Sequence, residues 1–189
     1  MKNELDIEKN PWTTLKSELV YESAWIAVTK HDCLNPAGNP ATYSTVSFKN
    51  IAIGIIPLDE ENNTWLVGQW RYPLNQYSWE IIEGGGKHGV DPVLSAQREL
   101  LEEAGLVAQH YEQIMEIHTS NSVCDEYGLI YVAKNLREEN AQPEETEVLQ
   151  IKKLPFNEAY QMVMDGKITD SLSVAGILKT KLLLDSGKI

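Results

Sequence analysis

Short stretches of alternating apolar and polar residues fill much of the first half of the chain, and helical spacing replaces them in three later places. The alternation predicts strands at about 16–22, 24–34 and 42–49, after a polar lead-in over residues 1–15. Asn35-Pro36-Ala37-Gly38-Asn39-Pro40 is dense in turn formers and separates the second strand from the third. Ile51 to Pro57 and Thr64 to Arg71 are apolar runs on either side of Asp59-Glu60-Glu61-Asn62-Asn63, a pattern that predicts a hairpin. Tyr77 to Ile82 then leads as a strand into a glycine loop. Further strands are expected near 110–119, 127–134 and 147–153, and helices near 156–165 and 170–184. This order predicts an α/β fold in which a mixed sheet carries helices on both faces.

The most informative helix lies between the two halves. Asp91 is a good N-cap, Pro92 suits the first helical position and Gly105 suits a left-handed residue beyond the end, so the helix is predicted over Pro92 to Ala104. Glu99, Glu102 and Glu103 stand at i, i+3 and i+4 and share a face. Acids in the last turn oppose the helix dipole at a cost of about 0.3–1 kcal/mol each, and neighbouring like charges repel. A helix selected for stability alone would carry lysines there. A divalent cation is the simplest compensation for this break of local rules. Arg98 is placed to reach Glu102 across one helical turn.

Composition narrows the function further. The chain has 189 residues with 42% hydrophobic content, enough for one good core with a terminal extension. A formal net charge of −12 and a pI near 4.7 argue against electrostatic capture of nucleic acid or an anionic membrane. Cys33 and Cys124 form no C-x-x-C, and no apolar stretch is long enough for a signal segment or a membrane span, so a cytoplasmic location is expected. The four histidines match no zinc spacing. Gly84, Gly86 and Gly89 spell G-x-G-x-x-G, the fingerprint of a dinucleotide-binding turn, but they follow antiparallel-looking strands and precede an acid-crowded helix. They are read instead as a loop that folds close over a phosphate or metal.

Gly84, Arg98-Glu99-Leu100, Glu102-Glu103 and Gly105-Leu106 together fit G-x5-E-x7-R-E-U-x-E-E-x-G-U, where U is apolar. Chance agreement at six fixed and two apolar positions has a probability on the order of 10⁻⁸ per starting point. The segment resembles the Nudix box, the signature of hydrolases that cleave a nucleoside diphosphate linked to another moiety. Position 90 departs from it, with Val90 where the box has its first glutamate. Gln69-Trp70-Arg71-Tyr72-Pro73 and Ser78-Trp79-Glu80-Ile81-Ile82-Glu83-Gly84 resemble the "Q-x-R-Y-P … W-E-x-P-A-G" stretch of the branch acting on ADP-ribose and other nucleoside diphosphate sugars, with Ile82 in place of the proline and Glu83 in place of the small residue.

The resemblance implies a Nudix-type α/β/α sandwich with a mixed β-sheet over 48–189, and an N-terminal antiparallel β extension over 1–47 that serves a homodimer. It implies Mg²⁺, with Mn²⁺ as a substitute, held by Glu99, Glu102 and Glu103, with the Glu83 carbonyl oxygen and Glu147 as further ligands and Arg98 as a brace. Glu145 is the implied base. Arg71 is expected on a phosphate, Glu80 on a polar nucleoside or sugar edge, Glu126 on the sugar-phosphate side, and Trp12 against a base. The expected reaction is hydrolysis of the pyrophosphate of a nucleotide sugar. A noncatalytic nucleotide-sugar binding module, and a hydrolase of coenzyme A or dinucleoside polyphosphates, remain alternatives at this point.

Overall fold

The computed structural model describes residues 8–140 and 148–189. In chain order it forms β1 (Thr13–Glu22), β2 (Ile26–Leu34), β3 (Pro40–Phe48), β4 (Asn50–Pro57), β5 (Asn63–Arg71), a short 3-10 turn (Tyr72–Leu74), β6 (Gln76–Glu80), β7 (Ile82–Lys87), α1 (Pro92–Ala104), β8 (Leu106–His118), β9 (Tyr127–Glu138), β10 (Gln150–Pro155), α2 (Phe156–Met164) and α3 (Ser171–Asp185). The chain divides into two compact units. One runs to Lys49 and takes in Ser120–Asp125; the other comprises Asn50–Thr119 and Glu126–Ile189.

The first unit is an antiparallel meander of β1, β2 and β3. Between β2 and β3 the Asn35 side chain accepts from the N–H groups of Ala37 and Asn39, both at 3.0 Å, as expected of an asparagine that opens a turn. Ser120–Asp125 is held to β3: the Val46 N–H donates to the Val123 carbonyl at 2.9 Å, and the Phe48 N–H to Asp125 Oδ1 at 2.8 Å. Every residue of β1 is exposed, including Leu15, Leu19, Val20 and Tyr21.

The second unit holds a four-stranded sheet in the order β7-β4-β9-β8, with β4 and β9 parallel and the other pairs antiparallel, and an antiparallel sheet in the order β10-β5-β6. Side-chain alternation divides its core in two. Ile53, Ile55, Leu129 and Tyr131 pack with Ala96 and Leu100 of α1, whereas Ile56, Ile130 and Val132 pack with Phe156 and Ala159 of α2 and Leu172 and Ile177 of α3. The four-stranded sheet is therefore mixed and covered by helices on both faces, as expected.

Two local expectations are corrected. The Ile51–Pro57 and Thr64–Arg71 segments do not make a hairpin: both edges of β4 are taken by β7 and β9, and both edges of β5 by β10 and β6. The glycine segment is not a loop either, because Gly84, Gly85 and Gly86 pair with Ile53, Ala52 and Ile51 as part of β7. Among the described residues, no helix is long and apolar enough to cross a membrane.

Candidate active site

Local chemistry sets both ends of α1. The Asp91 side chain accepts from the Val93 N–H at 3.0 Å, Pro92 fills the first position, and Gly105, at φ 62°, donates to the Leu100 and Leu101 carbonyls. With the ends fixed, Glu99 and Glu103 come to the same side of the helix and are only 7% and 3% exposed. That side lies on β7. The Glu103 carboxylate accepts from the Glu83 N–H at 3.2 Å, and the Glu99 carboxyl lies so close to Gly84 that a Cβ there would stand 1.9 Å from it. Gly84 is thus needed for the approach of a carboxylate to the strand backbone.

Arg98 fastens the same seam. Its guanidinium donates to Glu102 at 2.7 Å, to the Gly85 carbonyl at 2.9 Å, and also to Glu99. Burial works against the Arg98 charge, but Glu99 and Glu102 outweigh it and its pKa is raised. Glu102 is the more open of the three acids, with a side chain 26% exposed.

A second group of polar side chains meets the other side of the β6–β7 segment. Glu80, almost fully buried, is gripped by Arg71 through Nε, at 2.9 and 3.1 Å from its two oxygens, and through Nη2; Gln69 adds a longer contact at 3.3 Å. The bond to Glu80 raises the Arg71 pKa, against burial, with Glu83 and Asp170 adding to the effect. Glu83 keeps some surface as a residue, but its carboxyl is enclosed. Burial pushes its pKa well above the usual carboxylate range, Asp170 and Glu80 push the same way, and only the Ser173 hydroxyl, donating at 2.8 Å, opposes them. The two substrate candidates Arg71 and Glu80 are therefore paired with each other.

The remaining candidates are more scattered. Glu126 accepts a hydrogen bond from the Thr119 hydroxyl. Gly85, Ala52 and Gly128 are neighbours across three strands, so Glu126 stands about four residues along and two strands across from Glu83, roughly 16 Å away. Trp12 packs edge-on against Tyr43 within the first unit, with ring centroids 5.5 Å apart. Val90 is exposed, just ahead of the Asp91 cap. Glu145 and Glu147 lie outside the described residues. Asp170 and Ser173 escape a reading of the sequence, since their partners in β7 lie some ninety residues earlier; the one local signal is that Asp170 caps α3 by accepting from the Ser173 N–H at 2.9 Å.

A NUDIX domain model matches residues 48–172, and a nucleoside diphosphate sugar hydrolase N-terminal domain model matches residues 12–46. The chain belongs to the Nudix family. It is 30% identical over 174 residues to an ADP-ribose pyrophosphatase of Mycobacterium tuberculosis, covering 90% of this chain and 83% of that protein. It is 31% identical to a methanol dehydrogenase activator of Bacillus methanolicus over 87% of this chain and 89% of the relative. An ADP-ribose pyrophosphatase of Bacillus subtilis is 25% identical over the same shares. The solved structure of an ADP compounds hydrolase superposes with a TM-score of 0.83 over 94% of this chain and 97% of that one; at 21% identity it supports the fold.

Nudix hydrolases generally use divalent metal ions. Among the described residues, no three His, Cys, Asp or Glu side chains already converge as a cage. The donor chemistry nevertheless fits such an ion. Glu99 and Glu103 supply buried carboxylate oxygens beside the Glu83–Gly84 backbone, and Gly84, lacking a Cβ, leaves room for the Glu99 carboxyl there.

Proposed function

We propose that this Nudix pyrophosphohydrolase cleaves the pyrophosphate bond of ADP-ribose or a related nucleoside diphosphate sugar, giving a nucleoside monophosphate and a sugar phosphate. Its metal is Mg²⁺, with Mn²⁺ able to substitute. One observation carries the reading: Glu99 and Glu103 are buried side by side against the Glu83–Gly84 backbone, on a helix whose last turn disfavours acids. The match of residues 12–46 to the nucleoside diphosphate sugar hydrolase N-terminal domain, and two relatives named ADP-ribose pyrophosphatase, support the substrate class.

In this reading Glu99, Glu102 and Glu103 hold the cations, with the Glu83 carbonyl oxygen as a further ligand, and Arg98 braces Glu99 and Glu102. When bound, the cation neutralises phosphate oxygens and makes water a stronger acid. Glu145 takes the proton from the water as it attacks phosphorus, and Glu147 adds a ligand; both assignments rest on their place in the sequence. Arg71 is assigned to a phosphate and Glu80, buried against it, to a polar edge of the substrate, while Glu126 is assigned to the sugar-phosphate side. No covalent intermediate is needed.

Residues 1–47 form the extension and 48–189 the hydrolase domain. The exposed apolar residues of β1 support burial against a second copy, hence a homodimer. The net charge of −12 supports an enzyme that captures neither nucleic acid nor membrane, and two cysteines without a C-x-x-C pairing support a reducing, cytoplasmic location. The test is a panel of ADP-ribose, other nucleoside diphosphate sugars, coenzyme A, dinucleoside polyphosphates and ATP, with Mg²⁺ and product identification. ADP-ribose should give AMP and ribose 5-phosphate far faster than ATP is cleaved. Pyrophosphate release from triphosphates as the main activity would overturn the substrate class.

A further inference from the structure

β6 and β7 follow one another directly but belong to different sheets, and Ile81 is the single residue between them. A backbone that changes sheets there must find a partner for its buried N–H outside both ladders. The Ile81 N–H finds one in the Ser173 hydroxyl, at 3.0 Å. The same hydroxyl donates to Glu83 Oε1 at 2.8 Å, so its acceptor and donor capacities are each used on one side of the crossing. Ser173 is fully buried, and its own N–H goes to Asp170, which fixes it in the first turn of α3. On the other side of the segment, Glu103 accepts from the Glu83 N–H and Glu99 lies against Gly84. The strand that faces the acids is thus gripped between α1 and α3.

We propose that Ser173 is a positioning residue: by tying Ile81 and Glu83 to α3, it sets the Glu83–Gly84 backbone at the height where Glu99 and Glu103 can offer their oxygens together to a divalent cation. This rests on the reading that the α1 acids hold the metal. Had Ser173 served only to anchor α3, its loss would lower stability and leave the site's chemistry alone.

The experiment compares the full-length protein with Ser173→Ala, Ser173→Cys and a control, Ile177→Val, which trims a buried side chain one turn further along α3. For each, thermal unfolding is measured, Mn²⁺ binding is followed on the protein alone by the electron paramagnetic resonance of free Mn²⁺, and kcat and KM are measured with ADP-ribose. Ser173→Ala should weaken Mn²⁺ binding about tenfold and lower kcat by a similar factor with KM nearly unchanged, as happens when a group behind a metal ligand is lost. Ile177→Val should lose stability and keep both. Ser173→Cys, of similar size but with a weak donor, should fall between wild type and Ser173→Ala. Wild-type Mn²⁺ affinity and kcat in Ser173→Ala, or losses no larger than those of Ile177→Val, would overturn the proposal. If Ser173→Ala does not fold, unchanged affinity and rate in folded Ser173→Cys overturn it, and reduced values support it. A wild-type protein that binds Mn²⁺ but hydrolyses no nucleotide sugar defeats the proposed activity, and the Mn²⁺ measurements still decide the role of Ser173. A wild-type protein that binds no Mn²⁺ defeats the role as well.

Discussion

Asp59 and Glu99 are both largely buried carboxylates with a long basic side chain beside them, in the same unit of the molecule. Asp59 sits at the turn between β4 and β5 and collects donors: Lys153 at 2.8 Å, the Asn63 N–H at 2.7 Å, the Asn63 side chain at 3.0 Å and the Glu61 N–H at 3.0 Å. Burial alone would raise its pKa, but Lys153 and Asn63 reverse this and hold it at about 2. Lys153 also lies over the Trp65 ring. Glu99 shares its helix with Glu102 and Glu103, and Arg98 is the one basic residue among them. Those acids lie in the final turns, where the dipole opposes them, and the Glu83 carboxyl nearby is held protonated more readily than a free one. A carboxylate that serves the fold is surrounded until its charge is an advantage. At the α1–β7 seam, acids are gathered against local preference, as expected where a cation completes the arrangement.

The comparison breaks first at Glu99 and Glu103. Glu99→Gln and Glu103→Gln should each lower kcat by at least about a hundredfold, because in the proposed mechanism each removes a charged ligand. Metal-free thermal stability should hold or rise as the crowding of acids is relieved. Near-wild-type turnover in either variant would place the pair outside the chemistry.

Asp59→Asn should do the reverse and leave kcat unchanged. The depressed pKa of the folded state, about 2 against an ordinary 3.8, corresponds to roughly 2 kcal/mol of stability at neutral pH. A carboxylate with a lowered folded pKa contributes fully above its unfolded value and loses that contribution as pH falls through the folded one. Wild-type stability should therefore fall between about pH 4 and pH 2, and denaturant titrations of Asp59→Asn should lack that slope. A parallel loss in both proteins would move the acid sensitivity elsewhere.

Gly84→Ala should lower kcat by about tenfold with little loss of fold, since the added Cβ displaces the flexible end of Glu99 rather than backbone. Equal activity would show that the close approach has no catalytic use. The smallest effect is expected at Val90. Val90→Glu should tighten apparent Mg²⁺ affinity or raise the rate by no more than severalfold. A natural protein inactive on the whole substrate panel, with activity only in Val90→Glu, would favour a binding module.

α1 was legible in the sequence because each of its signals is local: a capping aspartate, a proline, a glycine at positive φ, and acids whose spacing needs only the helical period. The candidate ligands on it were legible for the same reason. The β4–β5 connection was misread because a polar turn between two apolar runs has the same pattern whether the strands pair or part into two sheets. Gly84 to Gly86 were misread as a loop because glycine is a poor strand former by itself, and only pairing with β4 makes them a strand. Ser173 was out of reach, since nothing near it in the chain reveals what its hydroxyl meets at Ile81 and Glu83.

The most direct test of the central claim is hydrolysis of ADP-ribose with Mg²⁺ in ¹⁸O-labelled water, followed by mass spectrometry of the products. The α1 acids, acting with a cation on the pyrophosphate, predict AMP and ribose 5-phosphate, with one ¹⁸O in the phosphate of one product and none at the anomeric carbon. Label at the anomeric carbon would mean cleavage of a glycosidic bond and would contradict the account.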